Sequence, residues 1–118
     1  MTTHDQLFLL TPNFADGRVG TGIFHCPECA QVEGLLSYYP YLRGRVDVHY
    51  VDFARPRAEI VPLVGAENQS CPLLVLAGRP PEGMAVRQHD ASGRWFVAGA
   101  PAIAAYLAAV HGIPAAHP

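Results

Sequence analysis

Three short apolar runs and one segment of alternating apolar and polar residues predict the strands of a sheet. Residues 7–10 form a continuous apolar run, which is typical of a strand buried on both faces. Residues 46–53 alternate apolar and polar positions, with Val46, Val48 and Tyr50 on one side, and predict a half-buried strand. Two further runs, 73–76 and 95–98, predict a third and a fourth strand.

Three other stretches carry apolar residues at helical spacing. The first covers residues 26–40, where Pro27 stands at the first helical position, a place that favours proline. The second, 55–65, contains Pro62 and is therefore expected to be brief or irregular. The third, 102–110, is followed by glycine and proline, which stop a helix.

The predicted order of elements is β, α, β, α, β, β, α. The alternation in the first half calls for a parallel pair of strands joined by a right-handed crossover. The third and fourth strands are joined without a helix, so we expect them to be antiparallel. The sequence therefore predicts an α/β fold with a four-stranded mixed β-sheet and three flanking helices, in a single domain covering residues 1–118.

Composition narrows the class of protein. A chain of 118 residues fits one domain, and a mean hydropathy of +0.14 excludes wholesale disorder. The eight basic residues are all arginines, do not cluster, and leave a net charge of −2, which argues against a nucleic-acid partner. No apolar run approaches the roughly 18 residues that cross a bilayer, and residues 1–6 lack the features of a signal peptide. We therefore expect a cytoplasmic protein without a membrane partner; the sequence sets no oligomeric state.

The strongest chemical signal is the motif Cys26-Pro27-Glu28-Cys29 at the predicted start of the first helix. Unpaired N–H groups and the helix dipole favour an anion there, so Cys26 is the expected thiolate nucleophile. Cys29 shares its helix face and can attack a mixed disulfide formed at Cys26. Glu28 brings a carboxylate close to the thiols and acts in the opposite direction; the sequence does not decide the balance.

With this motif in place, the sequence resembles the thioredoxin-like superfamily. The motif is similar to the Cys-Pro-x-Cys of glutaredoxins, and Cys71-Pro72 falls where that superfamily has a cis-proline facing the cysteine pair. Residues 102–107 resemble the last helix of the glutathione-transferase N-terminal domain. The resemblance covers residues 6–112, and the overall pattern also resembles an uncharacterised bacterial family of small thioredoxin-like proteins.

The resemblance implies a thioredoxin-like fold, a cis peptide bond at Cys71-Pro72 and the activity of a thiol–disulfide oxidoreductase. Its catalytic residues would be Cys26 and Cys29, its substrate a protein or small-molecule disulfide, and it would need no bound cofactor. Glutathione-binding members carry a polar or acidic pair at the start of the last helix. Residues 99–102 here have no polar side chain, which argues against glutathione.

Five residues are candidates for contacting the substrate. The resemblance implies that Cys71 and Pro72 present backbone to an extended substrate, much as an edge strand does. Arg55 and Arg57 follow the second strand at the edge where the cysteine helix begins. They are candidates to stabilise the attacking thiolate or to bind a carboxylate or phosphate, with solvated loop charges as the alternative. Gln69 is a candidate for contacting a peptide-like substrate.

The third cysteine keeps other functions open. If the resemblance holds, Cys71 lies close to Cys26, either as a small side chain that fits, as an alternative resolving thiol, or as a metal ligand. Cys26, Cys29 and Cys71 could hold zinc or an iron–sulfur cluster, and His25 is the nearest candidate for a fourth ligand. The alternatives are thus a metal- or iron–sulfur-binding accessory protein and a non-catalytic binding module.

Overall fold

The computed structural model describes residues 4–118 and has an α/β fold in which a mixed five-stranded sheet is flanked by three helices. Residues 1–3, which belong to the predicted domain and to the N-terminal stretch inspected for a signal peptide, lie outside the described residues. The strands are β1 (Asp5–Leu10), β2 (Val46–Val51), β3 (Leu73–Val75), β4 (Arg87–Gln88) and β5 (Trp95–Ala98). The helices are α1 (Pro27–Tyr38), α2 (Val61–Val64) and α3 (Ala100–His111), with 3₁₀ turns at Pro40–Gly44 and Ala66–Asn68.

The sheet has the strand order β2-β1-β3-β5-β4. Strands β1 and β2 run parallel, with Leu7 opposite Val48, and α1 forms the crossover between them. Strand β3 is antiparallel to β1, and β5 is antiparallel to β3. The parallel first pair and the antiparallel pairing of the third and fourth predicted strands are therefore confirmed.

The predicted number of strands is wrong, because the sheet has five. The additional strand, β4, lies in the segment between β3 and β5, where glycines and prolines favour a loop or hairpin. Its two residues are polar and exposed, and they form a strand only because Arg87 pairs with Phe96 and Gln88 with Trp95. A pairing of two exposed residues leaves no hydrophobic periodicity to detect.

The three helices lie close to their predicted positions. Helix α2 has only four residues, in agreement with the brief helix expected around its proline, and ends at Gly65. Helix α3 starts at Ala100, two residues earlier than predicted, and ends where Gly112 adopts a left-handed conformation with a φ of 81°. Within residues 4–118, no helix has the length and apolar character needed to cross a membrane.

The core has two layers, one on each face of the sheet. Helices α1 and α3 cover one face and pack on Leu7 and Leu9, whereas α2 covers the other and packs on Phe8. Strand β1 is therefore buried on both faces, as its continuous apolar run predicts. This central position fixes the place where β1 ends, next to the start of α1.

A buried polar contact joins the two ends of the fold. The Asp5 carboxylate at the start of β1 lies 2.9 Å from Nε2 of His111 at the end of α3. Its other oxygen accepts a hydrogen bond from the backbone N–H of Ala77 at 2.9 Å. Only about a tenth of the Asp5 and His111 side chains is exposed, so water cannot easily replace these hydrogen bonds if one partner is removed.

We predict that Asp5→Ala lowers the free energy of unfolding by about 3 kcal/mol, because it leaves a buried N–H and a buried imidazole without their acceptor. Urea unfolding at pH 7 measures this. The matched control is Asp90→Ala, which removes an exposed carboxylate from the turn between β4 and β5 and should cost less than about 0.5 kcal/mol. Equal losses in the two variants would contradict the prediction.

Candidate functional site

Cys26 is the residue that caps α1, as the sequence predicts. Its backbone is extended, with φ −81° and ψ 115°, and its Sγ accepts a hydrogen bond from the backbone N–H of Cys29 at 3.2 Å. Sulfur thus occupies the place that a Ser or Asp oxygen takes at an ordinary N-cap. The side chain is partly exposed, so an external disulfide can approach this sulfur.

Cys29 is placed very differently, one turn into the helix and facing the core. Only 5% of it is exposed, and its Sγ accepts a hydrogen bond from the backbone N–H of Leu10, at the end of β1, at 3.4 Å. Burial, followed by the hydrogen bond with Cys26, raises the pKa of the Cys29 thiol to about 12. Cys29 is therefore a protonated, inward-facing thiol at neutral pH.

Cys71 lies across from Cys26, as the resemblance implies. The Cys71–Pro72 peptide bond is cis, which confirms that expectation, and a second cis bond, Arg55–Pro56, was not anticipated. The Cys26 thiol donates a long hydrogen bond, 3.9 Å, to the carbonyl oxygen of Cys71. All three cysteines are free thiols, and two of them, Cys26 and Cys71, are partly exposed.

The two arginines act on Cys71. Burial raises the pKa of the Cys71 thiol to about 11, and the positive charges of Arg57 and Arg55 oppose that rise. Arg55 is exposed, so it can meet a substrate as well.

Arg57 is not a solvated loop charge, and that alternative is wrong for it. Only 5% of the residue is exposed, and its guanidinium donates to the carbonyl oxygens of Phe53 and Gln69, both at 2.6 Å. Gln69, also buried, accepts a hydrogen bond from the Arg57 backbone N–H at 2.5 Å. Arg57 and Gln69, which the sequence offers as substrate contacts, bind each other and so hold the connection between β2 and β3 in place.

Glu28, whose net effect on the thiols the sequence does not decide, makes a structural contact with another helix. Its Oε1 accepts a hydrogen bond from the backbone N–H of Ala100, the first residue of α3, at 2.7 Å. The N-cap of α3 is Gly99, which has no side chain to cap the helix, so Glu28 supplies that cap from α1. The carboxylate thus gains from the positive end of a second helix. In the sequence, the sign of this contact is Gly99 at the N-cap of α3, because glycine has no side chain that could accept a hydrogen bond from the first N–H groups of the helix.

A cleft opens beside Cys26, and sequence reasoning missed it. It has a volume of about 470 Å³ and is called the Cys26 cleft below. Its lining residues, from β1, β2, α1 and the connections around them, are Leu9, Leu10, Pro12, His25, Cys26, Cys29, Ala30, Glu33 and Tyr50. Its lining residue Tyr50, on the edge strand β2, is about half exposed, although the alternation of β2 places it on the same side as Val46.

A small polar network surrounds Glu33, which lies farthest along α1 of the residues that line the Cys26 cleft. The Tyr50 hydroxyl donates to Oε1 of Glu33 at 2.5 Å, and Arg43 donates to Oε2 at 2.6 Å. Partial burial, and then the hydrogen bond to Glu33, raise the pKa of Tyr50. Both carboxylate oxygens of Glu33 are therefore engaged.

The residues considered for a metal site are only partly brought together. His25, Cys26 and Cys29 line the same cleft, while Cys71 lies on the other side of Cys26. Within the part of the chain that the structure describes, no three His, Cys, Asp or Glu side chains are arranged so that they could hold a metal ion. The metal-binding alternative therefore has no assembled ligand set to build on.

Comparison with known proteins gives a family but no function. The model of a family described as "Protein of unknown function (DUF3088)" matches residues 4–115. Neither a curated protein nor a solved structure matches the chain.

The role of Glu28 predicts a specific pattern of stability changes. Glu28→Ala should lower the free energy of unfolding by about 1 kcal/mol, because the first N–H of α3 loses its acceptor. Glu28→Gln keeps an amide oxygen in that place and should recover most of the loss. Urea unfolding of both variants measures the two effects, and an equal loss in Gln and Ala would show that only the charge matters.

The environments of the thiols predict an order of alkylation. At pH 8, pKa values of about 11 and 12 leave roughly one thiolate in a thousand at Cys71 and one in ten thousand at Cys29. Iodoacetamide should therefore modify the exposed N-cap thiol of Cys26 first, then Cys71, and Cys29 last, as followed by peptide mass spectrometry.

The same experiment tests the arginine charges. Arg55→Ala should slow alkylation of Cys71 further, because it removes one of the charges that lower the Cys71 pKa. Arg79→Ala, which removes an exposed arginine from the connection after β3, is the control. Modification of Cys29 before Cys71 would contradict the predicted order.

Proposed function

The chain belongs to the DUF3088 family of proteins of unknown function, and we propose that it is a small thioredoxin-like thiol–disulfide oxidoreductase. Cys26 attacks the substrate disulfide and Cys29 resolves the product. The observation that carries this proposal is the arrangement of two thiols at one helix start: a partly exposed sulfur at the N-cap and a buried one directly behind it, joined by a 3.2 Å hydrogen bond from the Cys29 N–H to the Cys26 Sγ.

The topology supports the thioredoxin-like part of the proposal. A β-α-β unit with parallel strands carries the cysteine motif at its β1–α1 connection. An antiparallel pair, β3 and β5, and a final helix follow in the order expected from the resemblance. Cys71-Pro72 enters β3 on the side that faces Cys26, where its backbone can meet an extended substrate.

The first step uses the thiolate of Cys26. The Cys29 N–H and the dipole of α1 stabilise negative charge on its Sγ. The sulfur attacks one sulfur of the substrate disulfide, the S–S bond breaks, and the other half leaves as a thiolate that takes a proton from solvent. The product is a mixed disulfide between Cys26 and the remaining half of the substrate.

The second step uses Cys29. Its thiol loses its proton, its Sγ attacks the Sγ of Cys26, and the second half of the substrate leaves as a thiol. The substrate disulfide has then gained two electrons and two protons, and the Cys26–Cys29 pair has lost them. A dithiol reductant in solution returns the pair to its reduced form. Because Cys29 lies directly beside the Cys26 sulfur, its attack is intramolecular and is favoured over attack by a thiol from solution.

We predict that Cys29→Ser accumulates a mixed disulfide through Cys26, because the first step remains and the second is lost. Incubation with a small disulfide such as bis(2-hydroxyethyl) disulfide, followed by intact-mass and peptide analysis, measures the adduct. Cys26→Ser should give no adduct at position 29, since that thiol is buried and protonated. Cys71→Ser is the control that keeps both catalytic thiols and should still turn over.

Failure of the wild type to reduce any small disulfide would contradict the proposal. So would an adduct in Cys29→Ser that forms on Cys71 instead of Cys26. If Cys71→Ser abolishes turnover while Cys29→Ser does not, Cys71 is the resolving thiol and the assignment of Cys29 is wrong.

The high pKa of Cys29 predicts a pH-dependent second step. Below about pH 12 its thiolate fraction grows tenfold per pH unit, so release of a chromophoric thiol from a preformed Cys26 mixed disulfide should accelerate by about a hundredfold between pH 7 and 9. Stopped-flow absorbance measures the release rate. A rate that does not change over this range would show that deprotonation of Cys29 does not control the step.

A further inference from the structure

The Cys26 cleft places the attacking sulfur in the wall of a cavity. Cys26 and Cys29 line it together with Leu9 and Leu10, so a molecule inside it would have its atoms next to the sulfur that reacts. The cleft is lined from β1, β2 and α1, whereas Cys71 leads into β3, on the opposite side of β1 from β2. Arg55 and Arg57, which act on the Cys71 thiol, are not among the lining residues. The Cys26 cleft is therefore a separate surface from the one that faces the cis-proline.

The chemistry of the lining is apolar. Leu9, Leu10, Pro12 and Ala30 contribute only hydrocarbon, and the Tyr50 ring adds an aromatic face. The carboxyl group in the lining, that of Glu33, is bound on both oxygens by Tyr50 and Arg43. His25, which is exposed, adds an imidazole to the lining.

Cationic groups that could hold an anionic substrate are directed elsewhere. Arg55 and Arg57 act on the Cys71 thiol, and neither lines the Cys26 cleft. The N-terminus of α3, the other place where a carboxylate could bind, already has the Glu28 carboxylate on its Ala100 N–H. At the N-terminus of α1 the Cys29 N–H already binds the Cys26 Sγ, which leaves the His25 imidazole as the polar side chain of the lining that could meet a charged substrate. Such a substrate would lose hydration in the Cys26 cleft and gain little in return.

The size of the cleft suits a small molecule. A cavity of about 150 Å³ is enough for a benzene ring, and 470 Å³ falls within the usual range of small-molecule sites. We infer that the Cys26 cleft binds the uncharged, apolar body of a small-molecule disulfide and holds its S–S bond against Cys26 Sγ. This inference rests on the proposed function and names the substrate class of the same site.

The test compares two uncharged alkyl disulfides of similar intrinsic reactivity. Benzyl 2-hydroxyethyl disulfide carries an apolar ring, and bis(2-hydroxyethyl) disulfide does not. For the wild-type protein with a dithiol reductant, we expect kcat/KM to be at least tenfold higher for the benzyl compound, because the ring leaves water for the cleft. Bis(2-carboxyethyl) disulfide, which is anionic, should react more slowly than either.

Three variants test whether the preference for the benzyl compound arises in the Cys26 cleft. Ala30→Phe fills the cleft from an exposed position on α1 and should reduce the benzyl preference at least fivefold, while the smaller Ala30→Leu should reduce it less. Ser37→Phe adds the same ring at an exposed position of α1 outside the cleft and should keep the preference. Thermal unfolding of each variant confirms that the fold is retained.

The outcomes separate this inference from the proposed function. If the wild type reduces both alkyl disulfides without preference, or if Ala30→Phe and Ser37→Phe behave alike, the cleft assignment is overturned and the oxidoreductase remains. If the wild type reduces none of the three disulfides, the proposed function is overturned, and the substrate assignment with it.

A binding measurement does not depend on turnover. Benzyl methyl sulfide, an uncharged thioether that cannot exchange, should bind Cys26→Ser and shift NMR signals of Leu9, Leu10 and Tyr50. Adding Ala30→Phe should abolish those shifts, and adding Ser37→Phe should leave them. Shifts confined to other parts of the protein would overturn the inference.

Discussion

The burial of β1 on both faces is the constraint on which the rest of the structure depends. Leu7 and Leu9 pack under α1 and α3, and Phe8 packs under α2, so neither layer can form without this strand. Where β1 ends, the backbone N–H of Leu10 binds the Sγ of Cys29 and ties the first turn of α1 to the sheet. The position of the thiols is therefore a consequence of core packing, which resists displacement because the core is close-packed.

The environment of each sulfur determines its chemistry more than the cysteine motif does. Cys26 meets solvent and a helix N-terminus, Cys29 meets hydrocarbon and one N–H, and Cys71 meets two arginine charges. Burial raises the pKa of both Cys29 and Cys71, but only Cys71 has cations nearby that oppose it. Cys29 and Cys71 thus differ both in exposure and in the charges around them, so the two thiols deprotonate to different extents at a given pH.

Polar groups around the thiols largely bind other parts of the chain. Glu28 caps α3, and Arg57 and Gln69 bind each other and hold the connection that leads to Cys71. Each contact satisfies a group whose burial would otherwise cost free energy. These side chains are therefore held in place by hydrogen bonds to the backbone. The surface left for a ligand beside Cys26 is mainly hydrocarbon.

The sequence by itself determined the features that depend on near neighbours. Apolar runs and alternation predicted β1, β2, β3 and β5, and the Cys26-Pro27 pair predicted the start of α1, because periodicity and helix capping involve residues a few positions apart. Tertiary structure alone decided the cap of α3 by Glu28, 72 positions away, the burial of Arg57 against Gln69, the pairing of β4 and the Cys26 cleft. Those contacts join residues distant along the chain, so no local pattern encodes them, and they exist only once the two layers have packed on the sheet.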